Sequence, residues 1–321
     1  MTTFLTPQQR ADRTSAAVEA AVEAAVEAGR GLDLTVTGPT VLHDVFSVVV
    51  HLAPSPVVAR IPTVLPRPDD LVTLARRQRD ELDVTRWLAD WNVPVIAPSP
   101  LVPREPVQHD GYSMTFWPFV EEARDKEPDY VENAESVADL HAALRAYPGH
   151  RLEFLSAADP RFIADSLAQL DRHPDLIGAA ELDRARREWQ LLEPLVRSRS
   201  AFETRFPGVD LQPIHGDSPP ANIFNAVGGD LYADFELVTL GPVEWDLAAL
   251  GPEHEAAYNR GARRNGMRPL DEEVLAFVNA VGILRVIAAL TLVPQLPELM
   301  EYLGPAVDRW RTTSFAGGMN S

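Results

Sequence analysis

Apolar residues recur along this chain with two different periods, one typical of helices and one typical of strands. Within residues 7–28, Val18, Val22 and Val26 lie four positions apart, which predicts an amphipathic helix. From residue 34 to residue 61 the pattern changes to short runs of β-branched residues that Gly-Pro and Pro-Ser-Pro sequences interrupt. These runs predict a small antiparallel sheet.

One more helix and one more strand are predicted before the chain becomes mainly helical. Leucines and tryptophans at helical spacing predict a helix over residues 71–91, which Asp69 or Asp70 can cap. A loop with five prolines, residues 92–106, leads to a strand over residues 111–117. The remaining apolar periods predict helices at residues 133–146, 160–170, 180–196 and beyond residue 253.

The order of these elements predicts how the chain is organised. A β-rich first third followed by a helical remainder is typical of α+β proteins. We expect an N-terminal helical appendage at residues 1–31, a small β lobe at residues 32–118 and a larger helical lobe at residues 119–321.

Residues 212–249 interrupt the helical part with polar groups among short apolar runs. The runs NIFNA and LYADF flank a Val-Gly-Gly-Asp turn, which predicts a β-hairpin. Such a hairpin would bring Asn222 and Asp234 to nearby ends, with Asp234 as the last polar residue of the second strand.

The sequence His215-Gly216-Asp217, followed after four residues by Asn222, has the spacing of a kinase catalytic loop. In such a loop a carboxylate accepts the proton of a hydroxyl and an amide oxygen reaches a metal ion. Asn222 and Asp234 offer the oxygen ligands that Mg²⁺ prefers, and Asp217 is then the predicted base. Each residue alone also fits an ordinary structural role, as a cap or a strand end; their combination favours a phosphate-transfer site.

Three stretches, HGDSPPANIF, ADFE and GPVEWDLA, resemble the signature of the aminoglycoside-phosphotransferase family. The resemblance implies a two-lobed protein-kinase-like fold with a small antiparallel β N-lobe and a larger helical C-lobe. It also implies transfer of the γ-phosphate of ATP or GTP to a hydroxyl of a small molecule, with Mg²⁺ as the metal.

The same resemblance implies roles for individual residues. The aspartate of the first motif is the catalytic base in this family, which implies that role for Asp217. The following asparagine and the aspartate of the second motif bind magnesium, which implies a metal site at Asn222 and Asp234. The histidine and the late aspartate are structural in such folds, and these are His215 and Asp246.

Upstream, RDELDVTRWLADWNVPVIAPSP resembles the helix and proline-bearing loop of the family. This implies that Glu81 pairs with the basic residue of the third strand, which is Arg60 in VVAR where protein kinases have VAIK. Phe119 and Val120 fall where the nucleotide base would contact the connector between the lobes, whereas Trp117 is assigned to the core. Arg60, Glu81, Phe119 and Val120 are thus the implied nucleotide-binding residues.

Two departures from the family pattern leave other functions open. The segment of residues 35–40 has one glycine where a glycine-rich phosphate cover is expected, and Arg60 replaces the lysine. A degenerate, nucleotide-binding pseudokinase or scaffold is the first alternative. A metal-dependent hydrolase built on His215, Asp217 and Asp234 is a second one, although such a site needs further ligands. Glu236 could be an additional metal ligand or a structural partner.

Composition and charge narrow the classes of partner. The chain of 321 residues has no cysteine, which excludes disulfides, and a formal net charge of −18. That charge argues against nucleic acid and favours a cationic acceptor. Polar residues interrupt the longest apolar stretch, residues 274–293, which therefore predicts a buried helix. We expect a cytoplasmic protein with no membrane partner and no secretory signal, and the sequence leaves the oligomeric state open.

Overall fold

A computed structural model describes residues 7–64, 71–125, 127–149 and 151–319. Their contacts divide the chain into two compact units. The β unit contains the described residues of Thr6–Pro128 and Asn222–Val238, and the helical unit contains those of Asp129–Ala221 and Thr239–Ser321. This division follows compactness rather than biochemical role, so the domains expected from the sequence stay predictions.

The helices and strands of the described residues are named here in chain order. They are α1 (Pro7–Gly31), β1 (Val36–Asp44), β2 (Ser47–Pro54), β3 (Val57–Pro62), α2 (Leu71–Asp90), β4 (Val107–His109), β5 (Tyr112–Pro118), α3 (Tyr130–Leu144), α4 (Pro160–Gln169), α5 (Ala179–Arg197), α6 (Arg199–Arg205), β6 (Gln212–Ile214), β7 (Ile223–Ala226), β8 (Gly229–Tyr232), β9 (Thr239–Gly241), α7 (Pro252–Arg264), α8 (Glu272–Ala289) and α9 (Leu299–Thr312). The predicted order of β-rich and helical segments is confirmed. Asp69 and Asp70, the predicted caps of α2, lie outside the described residues.

The sheet of the β unit is antiparallel, with its strands in the order β1-β2-β3-β5-β4. Alternation places Val48, Val50 and Leu52 of β2 in the core. The first β-branched run of the predicted sheet is LTV at residues 34–36, and strand β1 extends well beyond it to Asp44. Its residues after Val36 are all exposed, so this edge strand has no apolar alternation to reveal it. Most of the glycine-poor segment therefore lies in β1, and the chain turns at residues 45–46.

Helix α1 packs in the core of the β unit. Its most buried side chains are alanines, and they contact the same cluster as the valines of β2. Alanine side chains let a helix approach a sheet closely; at Gly29 an added Cβ would lie 2.9 Å from Leu52 Cδ1. The helix is confirmed, but Val18 and Val22, which predicted it, are only partly buried.

The hairpin β7–β8 belongs to the β unit, although it follows the predicted catalytic motif in sequence. Its register pairs Ile223 with Tyr232, and the Tyr232 N–H donates to the Pro94 carbonyl at 2.8 Å. The Ile96 N–H in turn donates to the Tyr232 carbonyl at 2.9 Å. The proline-rich loop thus pairs with the hairpin and fixes it to the rest of the unit.

Helix α8 is the core helix of the helical unit. It begins at Asp271, which accepts hydrogen bonds from the N–H groups of Glu273 and Val274 at 2.9 and 3.0 Å. Among the described helices it is the one whose length and hydropathy would suffice to cross a membrane, over Glu272–Leu292. Its apolar side chains pack against α4, α5 and α9, which confirms the predicted buried helix and accounts for its hydrophobicity.

Helices α3 and α7 cross at Gly261, where there is no room for a side chain. An added Cβ would lie 2.2 Å from the Glu135 carbonyl oxygen and 2.8 Å from Ala138 Cβ. We expect Gly261→Ala to lower the free energy of unfolding by about 1–3 kcal/mol in urea titrations, because backbone atoms would have to move. Gly282→Ala in α8 is the matched control.

The Cβ of that control would have no atom within 4 Å. The control should therefore leave stability unchanged or raise it by up to about 1 kcal/mol, because alanine is the better helix former. Equal effects of the two substitutions would mean that close packing at Gly261 does not limit the helix crossing.

Candidate active site

The predicted catalytic loop lies in the helical unit, directly after β6. Gly216 has φ +93°, a left-handed conformation that glycine adopts freely, and Ser218 has φ +41°. A 3₁₀ turn over Pro219–Ala221 follows. The chain therefore leaves the strand through a sharply bent segment, with half-buried Asp217 between the two left-handed residues.

Asp246 fixes this segment from behind. Its Oδ1 accepts from the Gly216 N–H at 2.8 Å, and its Oδ2 accepts from the His215 N–H at 2.9 Å. The Trp245 Nε1–H donates to the Gly216 carbonyl at 2.9 Å. Asp246 is fully buried, so these bonds form away from water and hold both peptide groups of Gly216. The geometry agrees with the structural role implied for Asp246, whereas the role of Trp245 was not predicted.

His215 is fully buried, and its Nδ1 accepts from the Asp217 N–H at 3.3 Å. This contact gives the imidazole a structural part in the bend, as the resemblance implies. It also orients the backbone of Asp217, which is half-buried.

Asn222 and Asp234 lie at the open end of the hairpin. The Ala233 N–H donates to the Asn222 carbonyl at 2.9 Å, which confirms that the two segments meet there. Asp234 is not in the second strand as predicted, because pairing ends before it and its φ is +62°. The bend turns the chain out of the strand direction directly after the last hairpin contact.

The Arg60 guanidinium lies among three carboxylates of the β unit. Nη2 of Arg60 pairs with Glu81 of α2, and Nη1 pairs with Asp234. Glu236 lies 3.5 Å from the same Nη1. The implied Arg60–Glu81 pair is therefore present. The Arg60–Asp234 pair was not predicted, since 174 residues separate its members and no local pattern marks it.

The three carboxylates of this cluster differ in exposure, and Glu81, the buried one, has a shifted pKa. Glu81 is 1% exposed, and burial raises its pKa to about 8 even though Arg60 attracts the ionised form. Burial alone would lower the pKa of Arg60, but Glu81, Asp234 and Glu236 outweigh it and raise that pKa. The arginine stays charged, and Glu81 is the group that titrates near neutrality.

This titration predicts a pH-dependent stability. A carboxyl whose folded pKa exceeds its unfolded value of 4.5 takes up a proton on folding, so stability falls as the pH rises from about 4.5 to about 8. Glu81→Gln removes the titrating group but keeps an oxygen that can accept from Arg60. We expect the unfolding free energy of the wild type, relative to this variant, to fall by at least about 1.4 kcal/mol across that range, the value of one pKa unit.

The measurement is a series of urea titrations on nucleotide-free and magnesium-free protein, between pH 5 and pH 8. Parallel pH profiles of wild type and Glu81→Gln would contradict the raised pKa. Asp83→Asn, which changes a more exposed carboxylate on the same helix, is the control and should keep the wild-type profile.

A cavity of about 280 Å³ opens beside this cluster in the β unit. Its polar lining is Arg60, Glu81, Thr85 and Asp234, and its apolar lining is Leu42, Val49, Val58, Ile96, Trp117, Pro118, Phe119, Val120, Phe224 and Ala233. Phe119 and Val120, the implied contact residues for a nucleotide base, both line this cavity, and their role stays a prediction. Trp117, assigned to the core from the sequence, also lines the cavity.

Contacts of two aromatic side chains, those of Phe119 and Trp117, support the cavity wall. The Phe119 ring stacks on the His51 imidazole, with centroids 4.1 Å apart and planes at 15°. The Trp117 indole N–H donates to the Thr115 hydroxyl at 2.9 Å. The wall therefore offers flat, fixed aromatic surfaces of the kind that stack on a planar ring.

The oxygen donors at the hairpin end fit magnesium. Asn222 offers an amide oxygen, and Asp234 and Glu236 offer carboxylates that are 41% and 38% exposed. A few protein oxygens that include one or two carboxylates, completed by phosphates and water, are the usual magnesium environment. Arg60 contacts both carboxylates and compensates part of their negative charge.

Comparison with known proteins identifies a matching family profile and solved structures of similar fold. The sequence profile described as "Phosphotransferase enzyme family" matches residues 48–290. No curated protein matches the chain. Solved structures are similar over most of their length, and three of them illustrate the range.

The choline kinase LicA from Streptococcus pneumoniae has 15% identity and a TM-score of 0.58, covering 90% of this chain and 95% of its own. The GDP and kanamycin complex of APH(2'')-IIia has 13% identity and a TM-score of 0.55, covering 89% and 98%. The ADP and streptomycin complex of APH(3'')-Id from Streptomyces rimosus has 18% identity and a TM-score of 0.53, covering 81% and 98%. At these identities the likeness shows the fold, which is the protein-kinase-like α+β fold expected from the sequence.

Proposed function

We propose that this chain, which belongs to the phosphotransferase enzyme family, transfers the γ-phosphate of ATP or GTP to a hydroxyl of a small molecule. The observation that carries the proposal is the cavity of the β unit. Flat apolar walls with Phe119 and Val120 suit a nucleotide base, and the Arg60 cluster beside them suits phosphates.

In the proposed mechanism Asp217 accepts the proton of the acceptor hydroxyl. Asn222 and Asp234 would hold Mg²⁺, which would neutralise charge on the phosphates. Arg60, oriented by Glu81, donates to phosphate oxygens through its planar fork. Transfer of this kind depends on position and charge more than on covalent chemistry, so a rigid loop around Asp217 suits it.

The acceptor is proposed as a small, hydroxyl-bearing and preferably cationic molecule. The net charge of −18 favours such ligands over anionic ones. Similar structures include a choline kinase and complexes with kanamycin and streptomycin, so amino alcohols and amino sugars are the first classes to test. Membership of the family fixes the type of chemistry and leaves the acceptor open.

The testing experiment has two stages. Calorimetric titration with ATP and GTP, each with and without Mg²⁺, should show binding that magnesium strengthens. Labelled γ-phosphate should then appear on an acceptor in a panel of amino sugars, amino alcohols and neutral sugars.

Each alternative gives a different result in that experiment. Magnesium-dependent nucleotide binding without transfer to any acceptor would favour the pseudokinase. Hydrolysis of a phosphate ester without nucleotide would favour the metal-dependent hydrolase, and absence of nucleotide binding would contradict the proposal outright.

A further inference from the structure

A chain of buried polar side chains continues behind the catalytic loop, on helices α3 and α7. His141 is fully buried and Tyr258 is 1% exposed. We propose that His141 is a positioning residue for Asp217, which it orients through Asp246. The inference rests on the proposed function, because it assigns a purpose to residues that need not touch any substrate.

The contacts form an unbroken line. His141 Nε2 lies 2.9 Å from Asp246 Oδ2, and His141 Nδ1 lies 2.9 Å from the Tyr258 hydroxyl. The same Oδ2 accepts from the His215 N–H, and the other carboxylate oxygen accepts from Gly216. The line therefore runs from Tyr258 to the residue that directly precedes Asp217.

The hydrogen-bonding partners of His141 indicate which of its ring nitrogens carries the proton. Carboxylate oxygens accept hydrogen bonds, so His141 Nε2 is assigned as the donor to Asp246 Oδ2, beside the N–H groups of His215 and Gly216. A neutral imidazole has a single N–H, so its Nδ1 accepts, and Tyr258 donates its hydroxyl proton to it. Burial, with help from Glu244 and Asp246, raises the pKa of Tyr258, so this donor keeps its proton. In this assignment the Nε2–H tautomer of His141 links the Tyr258 hydroxyl to the Asp246 carboxylate.

This direction matters because the loop it supports is bent. Gly216 and Ser218 both have positive φ, and a serine in that region costs free energy that neighbouring bonds must offset. Asp246 supplies two of these bonds, and His141 fixes the rotation of its carboxylate by holding Oδ2. Without His141 the carboxylate could rotate about its Cβ–Cγ bond and release the Gly216 or the His215 amide.

A second contact ties the same histidine to the start of the loop. The carbonyl oxygen of His141 accepts from Gln212 Nε2 at 2.8 Å, and Gln212 begins β6. His141 thus meets the strand that enters the loop through its backbone and the loop itself through its imidazole. The imidazole contacts depend on the histidine side chain, whereas the carbonyl contact would be kept by any residue at this position.

The test compares four variants with the wild type in the full chain. His141→Leu removes the donor, whereas His141→Gln keeps a donor near the Nε2 position and an acceptor for Tyr258. Tyr258→Phe removes the hydroxyl that donates to His141 Nδ1. Leu144→Ala, a fully buried position one turn along α3, is the control for lost packing.

We expect His141→Leu to lower kcat by about 10- to 100-fold, the usual effect of losing a group that orients a reacting one. The nucleotide dissociation constant should stay unchanged, because the cavity residues belong to the β unit. His141→Gln should recover most of the loss, and Tyr258→Phe should show a smaller fall. Leu144→Ala should unfold more easily but keep wild-type kcat per folded molecule.

Amide hydrogen exchange over residues 212–222 gives a readout that does not depend on turnover. Exchange of the His215 and Gly216 amides should be faster in His141→Leu and Tyr258→Phe than in Leu144→Ala. Wild-type kcat in folded His141→Leu, or an equal loss of kcat in Leu144→Ala, would overturn the inference. If His141→Leu does not fold, wild-type kcat and wild-type exchange in Tyr258→Phe would overturn it.

Failure of the proposed function gives a different result. In that case the wild type itself transfers no phosphate to any acceptor in the panel. The exchange comparison still applies, and slow amides in every variant would then overturn the positioning role separately.

Discussion

Asp217→Asn is expected to lower the turnover of phosphate transfer by about 10² to 10⁴, the range for loss of a general base. The amide has nearly the shape of the carboxylate but cannot accept the proton of the hydroxyl. The loop should keep its conformation, because its bend depends on backbone bonds of Gly216 and His215 to Asp246. The fall should therefore appear in kcat, with little change in the nucleotide dissociation constant.

The measurement is steady-state transfer to the best acceptor of the panel, with nucleotide affinity from calorimetry on the same preparations. Asp210→Asn is a suitable control, because Asp210 is a 70% exposed carboxylate of the helical unit that pairs with Arg145 at 3.4 Å. It should keep wild-type turnover. Turnover of Asp217→Asn within a few-fold of the wild type would remove Asp217 from the mechanism.

Local features of this site could be predicted from the sequence because each is formed by residues that are close together in the chain. The hairpin needs two short apolar runs and a glycine turn, and the predicted catalytic loop needs one spacing from His215 to Asn222. Their structures follow from nearest neighbours in the chain. The strand β1 shows the limit of such reasoning, because its exposed residues have no apolar period.

Contacts between distant residues had no such local signal. His141 and Asp246 are 105 residues apart, and His141 and Tyr258 are 117 residues apart. A histidine in an apolar helix such as α3 predicts only a buried polar group with some partner. Which partner it finds depends on how α3, α7 and the turn before α7 pack together, and one sequence does not specify that packing.

The Arg60 cluster could be predicted from the sequence only in part. Its pairing with Glu81 followed from a family pattern, whereas its contact with Asp234 requires the hairpin to pack in the β unit. That packing depends on backbone bonds between the proline-rich loop and β8, whose N–H groups any residue except proline could supply. Hydrogen bonds of the backbone have no signature in side-chain chemistry, so this part of the site could not be foreseen.

Asp246→Ala is expected to lower the free energy of unfolding by about 3–5 kcal/mol, the cost of leaving buried partners of a charged group without it. The N–H groups of His215 and Gly216 and the His141 imidazole would all lose their acceptor inside the core. Each unsatisfied buried group costs about 1–3 kcal/mol, partly recovered if water enters. Urea titration followed by circular dichroism measures the loss.

Asp271→Ala is the matched control for Asp246→Ala, because Asp271 also accepts from two backbone N–H groups but at the partly exposed start of α8. Water can replace its bonds, so this change should cost only about 1 kcal/mol. The difference between the two variants then measures the contribution of burial to the catalytic loop. Equal losses would mean that Asp246 acts as an ordinary cap, and that the bend at Gly216 and Ser218 is held by other contacts.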